Sequence, residues 1–375
     1  MTETNGDLSK ADVLAALSEI QDPDLHRDIV ALGFVPEDDI SISGGSVSVK
    51  IVLTTPACPV RDQMKTQAEE LLQALPGVAN VDVTMDAAVR STGVGQGPKT
   101  IEGVRNVIAV ASNKGGVGKS TVSVNLALAL RKFGAQVGLL DADFTGPNIP
   151  TMLGLTAGFQ ADAGLSIVER FGLKAASLGF VLKRGLPVVW RGPMIGTGVR
   201  QLMHDMPWGE DGELDYLIVD LPPGTSDASM SAAQEAPIAG AVIVTTPNAV
   251  SLEDAVKAVT MFEKLSVPVF GLIENMSYFV CGHCNERTDI FGHGGVREAA
   301  DELGIDYLGE IPLLSKVRAA ADAGVPIVES DPESHRRSRR RPASSTSSPS
   351  QPPRPSTTLV PNRSPACAGL FHILR

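Results

Sequence analysis

Residues 106–121, NVIAVASNKGGVGKST, join a short apolar run rich in β-branched residues to a glycine-rich loop and then to an amphipathic stretch, TVSVNLALALRKF. Strand, glycine loop and helix in that order predict a phosphate-binding loop. The backbone N–H groups of Gly116, Gly118 and Lys119 can turn inward around phosphate oxygens, along a path that a Cβ would obstruct. The helix N-terminus adds a partial positive charge. The nucleotide-binding set is therefore Asn113, Lys114, Gly115, Gly116, Val117, Gly118, Lys119, Ser120 and Thr121. Lys119 is expected to reach the β- and γ-phosphates of ATP, and Ser120 to ligate Mg²⁺. The first glycine of the pattern G-x-x-x-x-G-K-[ST] falls at Asn113, a residue type that tolerates left-handed backbone, so the loop can still close. The bland alternative is an ordinary glycine-rich turn; the two lysines and the adjoining hydroxyls argue against it.

From residue 106 onward short apolar runs alternate with helical stretches: VGLLDAD, DYLIVD at 215–220, GAVIVTTP at 240–247 and VPVFGLIENM at 267–276. The pattern predicts an α/β fold with a mostly parallel, doubly wound sheet whose ligands bind at the carboxyl ends of the strands. Asp141 and Asp143 end one strand and Asp220 ends another. An apolar run ending in Asp beside a phosphate loop can hold Mg²⁺, directly or through water, so Asp220 joins Ser120 as a magnesium ligand. A lone Asp after a strand is usually a helix N-cap; three acids converging on one phosphate loop favour the functional reading.

The run K-G-G-V-G-K-S, with Lys114 ahead of the glycines, resembles the deviant Walker A motif of the family that includes ParA, MinD and nitrogenase iron protein. That resemblance implies that Lys114 crosses a dimer interface to the partner's nucleotide. It also implies that Asp143 positions the attacking water, which gives a catalytic set of Lys114, Lys119, Asp143 and Asp220. The segments DADFTGPNIPTMLG, WRGPM at 190–194, DYLIVDLPPGTSD and ENMSYFVCGHCNERTDIFG resemble the Mrp/ApbC-type P-loop ATPases that carry iron–sulfur clusters. The resemblance runs from residue 105 to about 330. It implies that Asn275 contacts the adenine base; a turn-former at a strand end is the alternative.

Cys281-Gly-His-Cys284 is a second chemical centre. Two thiolates spaced C-x-x-C can grip one metal or one cluster edge, but they do not complete a four-ligand site. Either other residues contribute or a second chain brings its own pair across a two-fold axis. The family resemblance implies the second, a [4Fe–4S] cluster bridging a homodimer. The family usually has Pro after the first Cys, and Gly282 stands there. Zinc completed by His283 or His293 is the rival, and a redox disulfide lacks the thioredoxin-like surroundings it would need.

Residues 1–90 read as a small α/β domain. Leu8, Val13, Leu14, Leu17 and Ile20 form a helical stripe, DIVALGFV and SVSVKIVL read as strands, residues 60–75 as a helix, and Val78 to Val83 as a last strand. The combination, with T-T-P-A-C-P around Cys58, resembles the PaaD/SufT-like domain of iron–sulfur assembly proteins. Cys58, at a strand-to-helix junction, is either a ligand in transfer or a small core residue. Residues 91–104 read as a glycine-rich linker and 105–330 as the P-loop ATPase domain. Residues 331–375 read as a disordered basic tail rich in Ser, Pro and Arg, either native or the product of a frameshift.

Charge narrows the function classes. The net charge is −11, yet the last 42 residues hold eight Arg and no acid, so residues 1–333 carry 24 basic and 43 acidic side chains, a net of −19. Such a body repels nucleic acid. No apolar run approaches the ~20 residues needed to span a bilayer, and the N-terminus lacks a signal-peptide pattern. The expected protein is a cytoplasmic homodimeric ATPase that binds a cluster and delivers it to apo iron–sulfur proteins, with no nucleic-acid or membrane partner. The alternatives are a ParA/MinD-like positioning ATPase and a zinc-bridged structural dimer.

Overall fold

The computed structural model describes residues 8–331, apart from 24–25, 59, 90–99, 145, 156–165, 181–191 and 226. Most of the 91–104 linker, the start of WRGPM and almost all of the basic tail lie outside the described residues. The chain divides in sequence between Arg90 and Ser91 into two compact units.

The smaller unit opens with α1 (Lys10–Leu17). Ser9 caps it in a reciprocal capping box with Asp12, which satisfies two N–H groups that helix geometry leaves without partners. Strands β1 (Ile40–Ser43) and β2 (Ser46–Leu53) pair antiparallel, and α2 (Arg61–Gln73) leads to β3 (Asn80–Ala87), which pairs with β2 in parallel. Along β2 the alternation Val47, Val49, Ile51, Leu53 sends one face into a core with Val13, Leu17, Met64, Ala68 and Leu72, the period-2 and period-3.6 patterns meeting as they should. The strand expected over DIVALGFV is absent: only Arg27–Asp28 is extended. The Asp28 carboxylate accepts the Ala31 N–H at 2.7 Å, and Gly33 takes a φ of +73°. A side-chain-capped turn thus replaces the strand, which is the usual competition an Asp offers to a ladder.

The larger unit holds a mostly parallel sheet of nine strands among the described residues. In chain order its elements are β4 (Val104–Ala111), α3 (Lys119–Lys132), β5 (Val137–Asp141), β6 (Val168–Arg170), β7 (Leu173–Ser177), α4 (Gly192–His204), β8 (Leu214–Asp220), α5 (Asp227–Glu235), β9 (Ile238–Thr245), α6 (Ala249–Lys264), β10 (Val269–Val280), β11 (Arg287–Thr288), α7 (Gly295–Leu303), β12 (Tyr307–Leu313) and α8 (Ser315–Asp322). The spatial order is β11-β10-β9-β4-β8-β5-β7-β6, with β12 also on β10; only β6 and β11 run antiparallel to their neighbours. The edge strands β6 and β11 and the inner strand β7 are additions to the strands read from sequence.

The central strands are buried along nearly their whole length, as parallel strands covered on both faces must be. Val107, Ala109 and Ala111 of β4 face a core with Val199, Leu202, Ala232, Ala258 and Phe262 from α4, α5 and α6. Helix α3 packs on β4, β5 and β8 and buries nine of its residues, Lys119 among them. Ile101 is buried in the same unit, and Val104 pairs with Leu214. No helix among the described residues is long and apolar enough to cross a membrane.

Candidate functional site

The phosphate loop leaves the middle of the sheet at Ala111 and ends in Gly118, the residue that caps α3 with a φ of +87°. Gly116 has a φ of +84°, and a Cβ built on Gly115 or Gly116 meets nothing within 4 Å. No side chain caps α3, so the first amides of that helix are left for a ligand. That is the condition for anion binding at a helix N-terminus. Lys114, Gly115 and Gly116 are exposed and Val117 is buried. Thr121, in the first turn of α3, accepts the Asn125 side chain on its carbonyl at 2.8 Å.

Beneath the loop is a polar cluster centred on Asp220, whose side chain is fully buried at the end of β8. Its Oδ2 accepts from Ser120 Oγ at 2.6 Å and pairs with Lys119 Nζ at 2.8 Å; its Oδ1 accepts from Ser123 Oγ at 2.6 Å. The sequence reading does not include Ser123, although a hydroxyl one turn beyond Ser120 on the same helix face is the available signal. Beside Asp220, in register on β5, stands Asp141. Burial, and then the Asp220 charge, push the Asp141 carboxyl up to about 8, so it holds its proton at neutral pH. Ser177 Oγ donates to Asp141 at 3.0 Å, a partner supplied by the unforeseen β7. Asp143 lies just past β5, where its N–H donates to Asp141 at 3.2 Å and its Oδ1 accepts the Gly146 N–H at 3.3 Å. The Gly224 N–H, in the Pro222–Pro223–Gly224 turn, donates to the Ser112 carbonyl at 2.8 Å.

Lys119, Ser120 and Asp220 are therefore brought together. Lys114 stands apart: it is exposed, and among the described residues no carboxylate lies within ion-pair distance of its ammonium. Asn113 Nδ2 donates to Asp254 of α6 at 3.0 Å. Asn275 is buried on β10 and its Nδ2 donates to the Val117 carbonyl at 2.7 Å. A Cβ on Gly118 would fall 2.2 Å from that nitrogen, a second reason besides its positive φ for glycine there.

Cys281 and Cys284 occupy the turn between β10 and β11. The Cys281 N–H donates to the Glu286 carbonyl and the Asn285 N–H to the Cys281 carbonyl, each at 2.9 Å. The backbone amides of Cys284 and His283, followed by the Cys284 thiol, hold the Cys281 thiol below its ordinary range. Both sulfurs are free, Cys284 is exposed, and no third His, Cys, Asp or Glu among the described residues joins them in a ligand cluster. His293 is turned elsewhere: it groups with Glu274 and Glu310 and meets Arg287 at 3.0 Å through Nδ1. The zinc completion by His293 thus finds no support in the geometry. Gly282 lacks a positive φ and a Cβ there meets nothing within 4 Å, so the Pro-to-Gly change is not forced by crowding. Cys58, in the smaller unit, lies half-buried between β2 and α2; its carbonyl accepts the Arg61 N–H at 3.2 Å.

Comparisons with known proteins cover both units. Residues 103–344 match the model of the NUBPL iron-transfer P-loop NTPases, a match that extends past residue 330, and residues 10–83 match that of an iron–sulfur cluster assembly protein domain. An iron–sulfur cluster carrier protein of Synechocystis is 46% identical over 329 residues, covering 86% of this chain and 92% of its own. A protein of the same name from Methanocaldococcus jannaschii is 50% identical over 230 residues, 60% of this chain and 78% of its own. Among solved structures, an ADP complex of a nucleotide-binding protein from Archaeoglobus fulgidus aligns with a TM-score of 0.51 at 39% identity, covering 60% of this chain and 88% of that one.

Proposed function

The chain belongs to the family of NUBPL iron-transfer P-loop NTPases, and on that premise we propose that it is an iron–sulfur cluster carrier that works as a homodimer and couples ATP hydrolysis to cluster handling. The nucleotide lies on residues 113–121, with Asn275 toward the base. The cluster is cargo, a [4Fe–4S] unit held by Cys281 and Cys284 of each chain and passed to apo-proteins in the cytoplasm.

In this reading the chain's own groups do the phosphoryl-transfer work by position and charge, since the reaction asks for little covalent chemistry from the protein. The free amides at the start of α3 and the open glycine path bind phosphate oxygens. Lys119 exchanges Asp220 for the β- and γ-phosphates. Asp143 orients the attacking water, and Lys114 neutralises charge on the partner's nucleotide. Ser120 Oγ and the Asp220 carboxylate, 2.6 Å apart, form the hard-oxygen donor set that Mg²⁺ prefers; when bound, the ion screens the phosphate charge. Asp141 keeps its proton and so avoids a second buried anion beside Asp220.

The observation that carries the reading is the bare pair of thiols on the β10–β11 turn with no third ligand of its own chain among the described residues. Two free sulfurs in the turn past β10, one exposed and one half-buried, in a chain with a complete phosphate loop, suit a shared cluster and do not suit a closed structural zinc site. Anaerobic reconstitution followed by visible absorption and by iron and sulfide analysis tests it. Iron and sulfide in near-equal amounts, at about four of each per dimer, are expected; zinc without sulfide would refute the cargo.

A further inference from the structure

We infer that Asn275 and Met276 relay the nucleotide state of the phosphate loop to the turn that carries Cys281 and Cys284. The inference rests on the reading of those two sites as nucleotide and cluster sites, and it supplies the connection between them.

Strand β10 touches both. At its middle, Asn275 holds the Val117 carbonyl, and Gly118 lies so close that a Cβ there would also come within 3.8 Å of Met276 Cε. Val117 and Gly118 immediately precede Lys119, so their peptide units are among those that phosphate binding must re-aim. Six residues after Asn275 the chain reaches Cys281, just past the end of the same strand.

Between these points the strand is irregular in one place. Met276 has a φ of +57°, in the left-handed region that a non-glycine residue occupies only when its surroundings hold it there. Asn275 pairs with Ile311 and the next paired residue is Phe279 with Leu313. Over that interval β10 carries two residues more than β12, a bulge that re-aims the downstream end of the strand. Beyond the bulge the pairing is regular again: Phe279 and Val280 pair with Thr288 and Arg287, and Cys281 bonds to Glu286.

Ser277, inside the bulge, has two carboxylates within reach. Glu274 and Glu310 stand opposite each other on β10 and β12. Ser277 Oγ lies 2.5 Å from Glu274 Oε1 and 3.2 Å from Glu310 Oε2. A hydroxyl has one proton, so Ser277 donates to one carboxylate at a time. A shift of Asn275 that moves Ser277 from one to the other is a discrete change, which is what transmission between sites requires. It reaches Cys281 along the strand itself, with no loop between Ser277 and the cysteine.

The test uses hydrogen–deuterium exchange with mass spectrometry on the cluster-free full chain, with and without Mg²⁺ and a non-hydrolysable ATP analogue. Saturating analogue is expected to change exchange at Cys281 and Asn285 by about fivefold or more. Met276→Gly, which removes the left-handed penalty, is expected to bind the analogue as the wild type does and to reduce that response to about twofold or less. In the reconstituted protein, chelator removal of iron should depend on nucleotide in the wild type and lose that dependence in Met276→Gly. Unchanged exchange at Cys281 in the wild type overturns the relay, and so does a full response in Met276→Gly. The wild-type comparison decides the matter by itself if the variant does not fold. Absence of iron and sulfide after reconstitution strikes at the carrier reading, whereas the exchange result, taken without cluster, strikes at the relay alone.

Discussion

Lys119 and Asp220 form an ion pair of 2.8 Å, with the lysine side chain 6% and the aspartate 0% exposed. In the proposed function this is the charge that meets phosphate, and it is satisfied inside the protein before any nucleotide arrives. Binding exchanges one anion for another, so the lysine is never left desolvated and alone, a state that would be costly.

Replacing Lys119 therefore does two things. Lys119→Ala is expected to abolish ATP binding and also to destabilise the fold. Breaking a buried pair by removing one partner costs about 3–5 kcal/mol, and the hydrogen bonds from Ser120 and Ser123 place the cost at the lower end. Adding Asp220→Asn removes the stranded charge. The double variant should recover most of the thermal stability and none of the binding. Thermal unfolding and a fluorescent-nucleotide titration on both variants check this.

Lys114→Ala should behave differently, because Lys114 is exposed and makes no ion pair within its own chain among the described residues. We expect nucleotide affinity near that of the wild type and a fall in kcat of about 10³-fold, the scale of a cation supplied in trans. Equal loss of affinity in the Lys114 and Lys119 variants would remove the trans role.

The Asp141 carboxyl gives a pH dependence with a definite sign. Its folded value is raised from 3.8 to about 8, so the folded chain keeps a proton that the unfolded chain releases. Its contribution to stability is fully present below pH 3.8 and is lost progressively as pH rises to about 8. Asp141→Asn, which mimics the neutral acid, should resemble the wild type at about pH 4 and exceed its unfolding midpoint above about pH 8. A wild-type midpoint in nucleotide-free buffer that does not fall across this window relative to the variant would reject the assignment.

Cys58 is tested by transfer and not by content. Cys58→Ser is expected to leave the cluster bound and to slow its delivery to an apo-acceptor. Unchanged transfer kinetics would return Cys58 to the role of a small residue against the core of the smaller unit.

The sheet and the phosphate loop were legible in sequence because their signals are local. A β-branched run, glycines that must take positive φ and a following amphipathic helix lie within a short stretch beginning at Asn106. Asp220 could be named because an acid ending a buried strand has few other uses beside such a loop. Ser177 and Ser123 joined the site through contacts across strands or along one helix face. Their partners therefore depend on which strands become neighbours. The strand β7 that carries Ser177 is five residues long and carries no signal of its own. DIVALGFV misled because its apolar pattern fits a strand, while Asp28 and Gly33 favour a turn and the buried Ile29 and Phe34 are reached either way. β10 runs to Val280, beyond the expected end at Met276, since a left-handed methionine reads as a strand end until the pairing of Phe279 and Val280 is seen.

The central claim, that one cluster is shared by two chains, is tested most directly by sedimentation velocity on the anaerobically reconstituted protein. The boundary is followed at visible wavelengths, where only the cluster absorbs. Each chain offers two thiolates, and a cubane cluster usually takes four. The account predicts that all visible absorbance sediments as dimer. It also predicts that Cys281→Ser or Cys284→Ser removes the absorbance and weakens the nucleotide-free dimer, because a ligand that binds only the dimer stabilises it by mass action. A wild-type monomer that carries a full cluster would contradict it.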